Sequence, residues 1–109
     1  MKTGAELIAQ ERQRQIEQEG WSADHDAEFD ECQLELAAAT YAVAETRRRK
    51  GLTTSAAMWP FDEQYYKPTP HFHLRELQKA GALIAAAIMA QRTNPKIRGE
   101  KDFLTIDRK

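Results

Sequence analysis

Residues 79–90 read KAGALIAAAIMA, a stretch typical of a helix that carries small residues on nearly every side. The whole chain has 17 alanines and eight leucines, but valine and isoleucine together number only seven, and no segment alternates apolar and polar residues over the length of a strand. Because alanine favours helices and β-branched residues favour strands, the sequence predicts an all-α fold.

The helix that contains this stretch is predicted to begin at Thr69 and Pro70 and to end before Asn94 and Pro95. Its predicted buried stripe consists of Leu74, Leu77, Gly81, Ile84 and Ile88. Small residues on most sides indicate a helix that is central or shared between subunits. Gly81 would allow a neighbouring helix to approach closely.

The first helix is predicted to start at Thr3, with Glu6 completing a capping box, and to stop near Gly20. Its apolar edge is narrow, and the rest of the helix is charged or carries amides. The residues of that edge are Ala5, Ile8, Ala9 and Ile16.

The second helix is predicted from about Asp26 to Lys50, with Gly51 closing it. One stripe of this helix is expected to face the core, and three further residues widen it. The stripe comprises Phe29, Cys32, Leu36, Ala39 and Val43, and the widening residues are Leu34, Ala38 and Tyr41.

The segment 51–73 is a long connection that holds three of the four prolines and five of the nine aromatic residues. Its aromatic content argues against disorder, so we expect it to fold back over the helices with Trp59 and Phe61 as anchors. The prediction is therefore one helical domain over 1–109, a small bundle of three main helices with a long aromatic loop between helices 2 and 3. The tail 95–109 is expected to dock or to exchange with a partner chain.

Composition restricts the classes of function. The net charge of −1 argues against general nucleic-acid binding, which needs an excess of Lys and Arg. The lone Cys32 excludes an internal disulfide and a cysteine zinc site, and on its predicted stripe it is expected in the core rather than as a nucleophile. No apolar run is long enough for a membrane span or a signal peptide, so we expect a soluble, cytoplasmic protein. A core of small side chains predicts a homo-oligomer, at least a dimer.

Two groups of residues could carry chemistry. The first is acidic: Glu28, Glu31 and Glu35 share one face of the predicted second helix, as the ligands of a divalent metal would. Acids at a helix amino terminus also stabilise the helix dipole, which is the structural alternative. The third helix adds only Glu76, followed by Lys79 where a second acid would be wanted. The histidines His71 and His73 do not share a helical face, and structural roles are preferred for them.

The second group combines aromatic and basic side chains. Aromatic faces stack on bases and fixed cations hold phosphates, so this combination suits a nucleotide. The candidate ligand-binding residues are Trp21, Tyr65, Tyr66, Lys67 and Arg75, with Arg12 and Arg14 nearby. The same side chains could instead hold the long loop in place.

Several sequence elements over about 6–92 resemble small helical proteins of bacteriophages and prophages. They are ERQRQIEQEGW at 11–21, a turn with His25 and Asp26, TYA at 40–42, WP at 59–60, YYKP at 65–68 and LRELQKAGALI at 74–84. A weaker resemblance is to MazG-type all-α nucleoside triphosphate pyrophosphohydrolases. It would imply Mg²⁺ held by an E-x-x-E pair, here Glu28 and Glu31, and by a later E-x-x-D pair, here Glu76 with Lys79 in place of the acid. The E-G-W, W-P and K-P elements are also similar to ryanodine-receptor-type repeat domains, which are suspected of nucleotide recognition.

Three functions follow from these patterns. The preferred one is a phage-type protein that binds a nucleotide-like anionic ligand, without cofactor or catalytic residue, and sequesters a host defence signal in the host cytoplasm. The first alternative is a Mg²⁺-dependent nucleotide pyrophosphohydrolase that uses Glu28, Glu31 and Glu35, with Glu76 as a further candidate. The second alternative is an inhibitor that binds a host protein through an exposed face.

Overall fold

The computed structural model describes residues 1–20, 32–53 and 55–93, and their main elements are three α-helices. These are α1 (Gly4–Glu19), α2 (Gln33–Arg49) and α3 (His73–Thr93), and two short 3-10 helices, Ser55–Met58 and Glu63–Tyr65, lie in the loop between α2 and α3. The described residues include no strand. The predicted all-α bundle of three main helices with a long loop between the second and third is thus confirmed.

Helix α1 begins and ends as the sequence predicts. The Thr3 hydroxyl accepts a hydrogen bond from the Glu6 backbone N–H at 3.1 Å, and the Glu6 carboxylate accepts one from the Thr3 N–H at 2.7 Å. Gly20 ends the helix with a left-handed backbone, φ 75°, which glycine adopts without strain.

Helix α2 begins later than predicted. Cys32 has a left-handed backbone, φ 62°, directly before Gln33, so a helix that starts at Asp26 cannot run through this position. Residues 21–31 lie outside the described part of the chain. Cys32 is also exposed, so its predicted place in the core is wrong. Gly51, with φ 67°, follows the last turn as predicted.

The core between α2 and α3 is made mostly of alanine. Among the described residues, eight of the eleven buried apolar side chains are alanines, and such small side chains let the two helix backbones pack closely. The eleven buried apolar residues are Leu34, Ala37, Ala38, Tyr41 and Ala44 on α2, and Ala80, Ala82, Leu83, Ala86, Ala87 and Ala90 on α3. Leu34, Ala38 and Tyr41, predicted only to widen the α2 stripe, are therefore at its centre.

The predicted stripes of large side chains are wrong on both helices. On α3, the large residues Leu74, Leu77, Ile84 and Ile88 are exposed rather than buried. On α2, Leu36 is exposed and Val43 only half-buried. The cause is the same in both cases, because the alanine face of each helix forms the close contact and turns the larger side chains outward. Helix α3 begins at His73 rather than at Thr69 and ends at Thr93.

Helix α3 packs against both α2 and α1, so it is the central helix of the described residues. A Cβ atom placed on Gly81 would lie 2.5 Å from Cδ1 of Ile8, so this glycine leaves room for a side chain of α1 where the sequence predicted a close approach of the backbone. The apolar edge predicted for α1 is only partly correct, because Ala5 and Ala9 are exposed. The buried residues of α1 are instead the polar Glu11 and Gln15.

The loop between α2 and α3 folds back over the helices, as predicted. Trp59, Phe61 and Tyr66 are partly buried against the core, and Trp59 and Tyr66 pack on the ring of Tyr41. We call these four residues the aromatic cluster. Of the helices in the described ranges, none has the length and apolar character needed to cross a membrane. The predicted exchange or docking of 95–109 falls outside the described residues.

Candidate functional site

Four cations from three parts of the chain converge beside the aromatic cluster. Arg14 lies on α1, Lys67 on the loop, and Arg75 and Lys79 on α3. A continuous set of hydrogen bonds and charge interactions connects all four. We call them the cation cluster.

The buried carboxylate of Glu11 holds two members of the cation cluster. Glu11 is 1% exposed. Arg14 donates to it from Nε at 3.0 Å and from Nη2 at 2.9 Å, and Arg75 donates from Nη1 across the interface between α1 and α3. Burial alone would raise the pKa of Glu11, but the hydrogen bonds from the two arginines lower it below its usual value. Glu11 is therefore ionised and fixes two guanidinium groups at neutral pH.

A second carboxylate, Glu19, extends the arrangement to the loop. Its Oε2 accepts from Arg14 Nη2 at 3.2 Å, and its Oε1 accepts from Lys67 Nζ at 3.3 Å. Glu11 and Glu19 thus pair with three of the four cations, and Glu76, whose charge also acts on Lys79, is itself paired with Arg48.

Lys79 connects the cation cluster to the aromatic cluster. Its ammonium donates to the Lys67 carbonyl at 2.5 Å and lies 5.4 Å from the centre of the Tyr41 ring. Burial lowers the pKa of Lys79, and the nearby charge of Arg75 lowers it further. The protein therefore holds this ammonium in a place where additional negative charge would be favourable.

Tyr41 fixes the loop over the site. Its buried hydroxyl accepts a hydrogen bond from the Lys67 backbone N–H at 2.8 Å, and burial raises the pKa of Tyr41 to about 12. The Trp59 ring lies 5.4 Å from the Tyr41 ring and 5.2 Å from the Tyr66 ring, measured between centroids. Trp59 Nε1 donates to the Asp62 carbonyl at 3.0 Å, which closes the loop on itself.

A second charged network lies at the start of α3. Arg48 Nη2 donates to Glu45 at 2.9 Å and also to the buried Glu76, which in turn accepts from the Thr69 backbone N–H at 3.1 Å. Ligand atoms of Glu45, His73 and Glu76 all lie within 4.8 Å of one another, the spacing of a potential cation site. The Arg48 guanidinium already supplies positive charge to both carboxylates, so this group is first of all an ion-pair network.

The residues predicted to bind a ligand are partly brought together. Lys67 and Arg75 belong to the cation cluster, Tyr66 is half-buried in the aromatic cluster, and Tyr65 beside it is exposed. Trp21 lies outside the described residues. Arg14, predicted only to lie near the site, is a full member of it.

Of the acids predicted as metal ligands, Glu28 and Glu31 lie outside the described residues. Glu35 lies in the first turn of α2, where its charge raises the pKa of the exposed Cys32 thiol. Glu45, which lies next to Glu76, follows Glu35 by ten residues on α2. Ten residues correspond to about 15 Å along a helix, so Glu35 lies far from Glu45. Glu35 and Glu76 therefore do not approach one another in this fold.

The sequence analysis missed the residues that organise the cation cluster, Glu11, Glu19 and Lys79. A signal for Glu11 was present, because Ile8, Glu11 and Gln15 have the 3-4 spacing of a buried helix face. Gln15 Nε2 donates to Glu11 at 3.4 Å, and its buried Oε1 has no hydrogen-bond partner within the described ranges.

Comparison of the chain with protein-family models, with curated proteins and with solved structures found no match in any of the three.

Proposed function

We propose that this protein binds a nucleotide-like anionic ligand, with the cation cluster holding its phosphates and the exposed edge of the aromatic loop holding its base. The observation that carries the proposal is the gathering of positive charge: Glu11 and Glu19 pair with only three of the four cations, and Glu76, whose charge also acts on Lys79, is itself paired with Arg48. Folding a protein so that like charges gather is unfavourable unless something else interacts with them. An anion would remove that cost.

The arginines are already oriented for such a ligand. Because Glu11 is buried and ionised, it fixes both Arg14 and Arg75, while about a quarter of each arginine side chain remains exposed. Guanidinium groups that are held in advance lose little further freedom on binding an oxyanion. The site therefore needs no large rearrangement to accept a phosphate.

The aromatic side chains next to the cations favour a nucleotide over a simple inorganic anion. Tyr65 is 44% exposed and directly precedes Tyr66 and Lys67, so one short segment offers both an aromatic face and a cation. Stacking between a base and an aromatic ring contributes about 1–3 kcal/mol per base. Binding should also raise the pKa of Lys79, because the ligand's negative charge stabilises the ammonium.

The biological use that we propose rests on the resemblance to small phage proteins: a homo-oligomer in the host cytoplasm that sequesters a nucleotide signal of host defence. The function would require neither a metal nor catalysis.

The first test is a thermal-shift screen of the full chain against nucleotides, cyclic dinucleotides and ADP-ribose derivatives, each with and without Mg²⁺. Each stabilising compound is then recovered and analysed by chromatography. Recovery of an intact ligand supports sequestration. A lack of stabilisation by every compound would contradict the proposal and favour the alternative in which the protein inhibits a host protein.

Substitutions in the loop test the location of the site. Tyr65→Ala and Lys67→Ala should each weaken binding of a stabilising nucleotide by about tenfold or more. Lys50→Ala is the matched control, because Lys50 is exposed and lies outside the cation cluster. Equal affinities of the Lys67 and Lys50 variants would place the ligand elsewhere.

The enzyme alternative predicts a different result in the same screen. A ligand recovered cleaved only when Mg²⁺ is present would establish a pyrophosphohydrolase and exclude simple sequestration. In that case Glu31→Gln should abolish cleavage, whereas under the binding proposal the same substitution should leave the affinity unchanged.

A further inference from the structure

The exposed face of α3 lacks charge to a degree that is unusual for this chain. From Leu77 to Gln91 the only charged residue is Lys79, which is buried, although 30% of all residues in the chain are charged. The same face exposes 49% of Leu74, 44% of Leu77, 43% of Ile84 and 56% of Ile88. We call these four residues the outer stripe.

The spacing of the outer stripe is that of a helix that pairs with another helix. With Gly81 included, its positions follow intervals of three, four, three and four residues, the repeat that keeps one seam facing a partner helix. Ile8 of α1, half-buried, packs over Gly81, so an apolar side chain covers this position of the seam. The stripe runs for about 21 Å along α3.

We propose that the outer stripe is the interface between two copies of this chain, related by a two-fold axis. The four side chains expose on the order of 350 Å² of apolar surface. A homodimer interface of standard size contains roughly 500 Å² of apolar surface per subunit, so the outer stripe supplies much of that area. A two-fold axis brings the outer stripe of one copy against the outer stripe of the other. The two contacting surfaces therefore have the same length, the same apolar character and the same lack of charge.

The chain's own tail, 95–109, is a different candidate for covering the stripe. That tail reads PKIRGEKDFLTIDRK and contains eight charged residues among fifteen. Its large apolar residues are Ile97, Phe103, Leu104 and Ile106, and four of the five residues between Ile97 and Phe103 are charged, so the tail has no continuous apolar stripe to place on the outer stripe. A second copy of α3 fits the uncharged face better.

The test is the mass of the full chain in solution, measured by light scattering during size-exclusion chromatography and by sedimentation equilibrium. The wild type should have twice the 12.5 kDa mass of one chain at micromolar concentration. The variant Ile84→Lys/Ile88→Lys should raise the dimer dissociation constant on the order of 100-fold or more, because it places four charges in an apolar interface. Leu52→Lys is the control, since Leu52 is equally exposed but lies outside the stripe, and it should remain a dimer.

In the mass measurements, the proposal is overturned by a monomeric wild type at concentrations up to about 100 µM, or by a double-lysine variant that keeps its helical circular dichroism and remains a dimer. Should the double variant fail to fold, the wild type still decides the question. A dimer whose subunits stabilise each other melts at a higher temperature as protein concentration rises, so a melting temperature independent of concentration would also contradict the proposal.

Discussion

Replacing Glu11 by Gln tests how much the buried ion pair contributes to the attachment of α1 to α3, in addition to the packing of Ile8 on Gly81. The substitution keeps the shape of the side chain but removes the charge to which Arg14 and Arg75 donate. Breaking a fully buried ion pair costs about 3–5 kcal/mol, and a hydrogen bond to a charged group contributes about 1.5–3 kcal/mol. Both arginine side chains are about a quarter exposed, so water can hydrate part of the positive charge that loses its carboxylate partner. We therefore expect the free energy of unfolding to fall by about 2–4 kcal/mol.

The acid dependence of stability gives an independent measure of the same interaction. Because the folded state lowers the pKa of Glu11 below its ordinary value of 4.5, the ionised carboxylate stabilises the fold fully above that pH. This contribution is lost as the pH falls through the lowered pKa. In Glu11→Gln, stability should consequently fall less steeply below about pH 4.5 than in the wild type.

The assay is urea denaturation followed by circular dichroism, at neutral pH and at several acidic pH values. Glu17→Gln is the matched control on the same helix, because Glu17 is exposed and accepts a hydrogen bond from the neutral Gln13 side chain. This control should change the free energy of unfolding by no more than about 0.5 kcal/mol. A cost for Glu11→Gln no larger than that of the control, or an unchanged acid dependence, would refute the assignment of Glu11 as the link between the helices.

Three further substitutions test other parts of the fold. Gly81→Ala should destabilise the protein, because the new Cβ would overlap Ile8, although alanine favours a helix over glycine by about 1 kcal/mol. In a double-mutant cycle, adding Ile8→Ala to the same chain should recover much of the lost stability. Tyr41→Phe should cost about 1–3 kcal/mol, because it leaves the Lys67 N–H without its acceptor. In the wild type, one of the three tyrosines should ionise only near pH 12, which phenolate absorbance would show; three tyrosines that all titrate near pH 10 would contradict the burial of Tyr41. Thr3→Ala should lower stability by about 1 kcal/mol by removing the capping box, whereas Thr3→Ser should cost little; equal losses would argue against the capping role.

Local signals in the sequence predicted the ends of α1 and the close of α2 correctly. Thr3 with Glu6, Gly20 and Gly51 act through backbone hydrogen bonds and backbone angles within a few residues, so no knowledge of distant parts of the chain is needed. Composition predicted the all-α class for a similar reason, since helix propensity is a property of each residue. The anchoring role of Trp59 followed from its place in a long aromatic loop.

The same local reasoning failed for the faces of the helices. The large residues Ile84 and Ile88 were predicted to be buried because large apolar side chains usually are. The structure buries the alanine face instead, since α2 presents small residues there and two small faces pack more closely than large ones. Which face is inside depends on the partner helix, and a sequence pattern on one helix does not contain that information.

Some features of the candidate site likewise follow from local sequence, and others depend on tertiary structure. The sequence alone determined that the protein is helical and that the loop carries aromatic and basic side chains beside each other at 65–67. Only the tertiary structure decided that Glu11, on another helix and 64 positions before Arg75, fixes that arginine, and that Lys79 faces the Tyr41 ring. The physical reason is that charges interact through space over a few ångströms, so their partners are set by helix packing and not by distance along the chain.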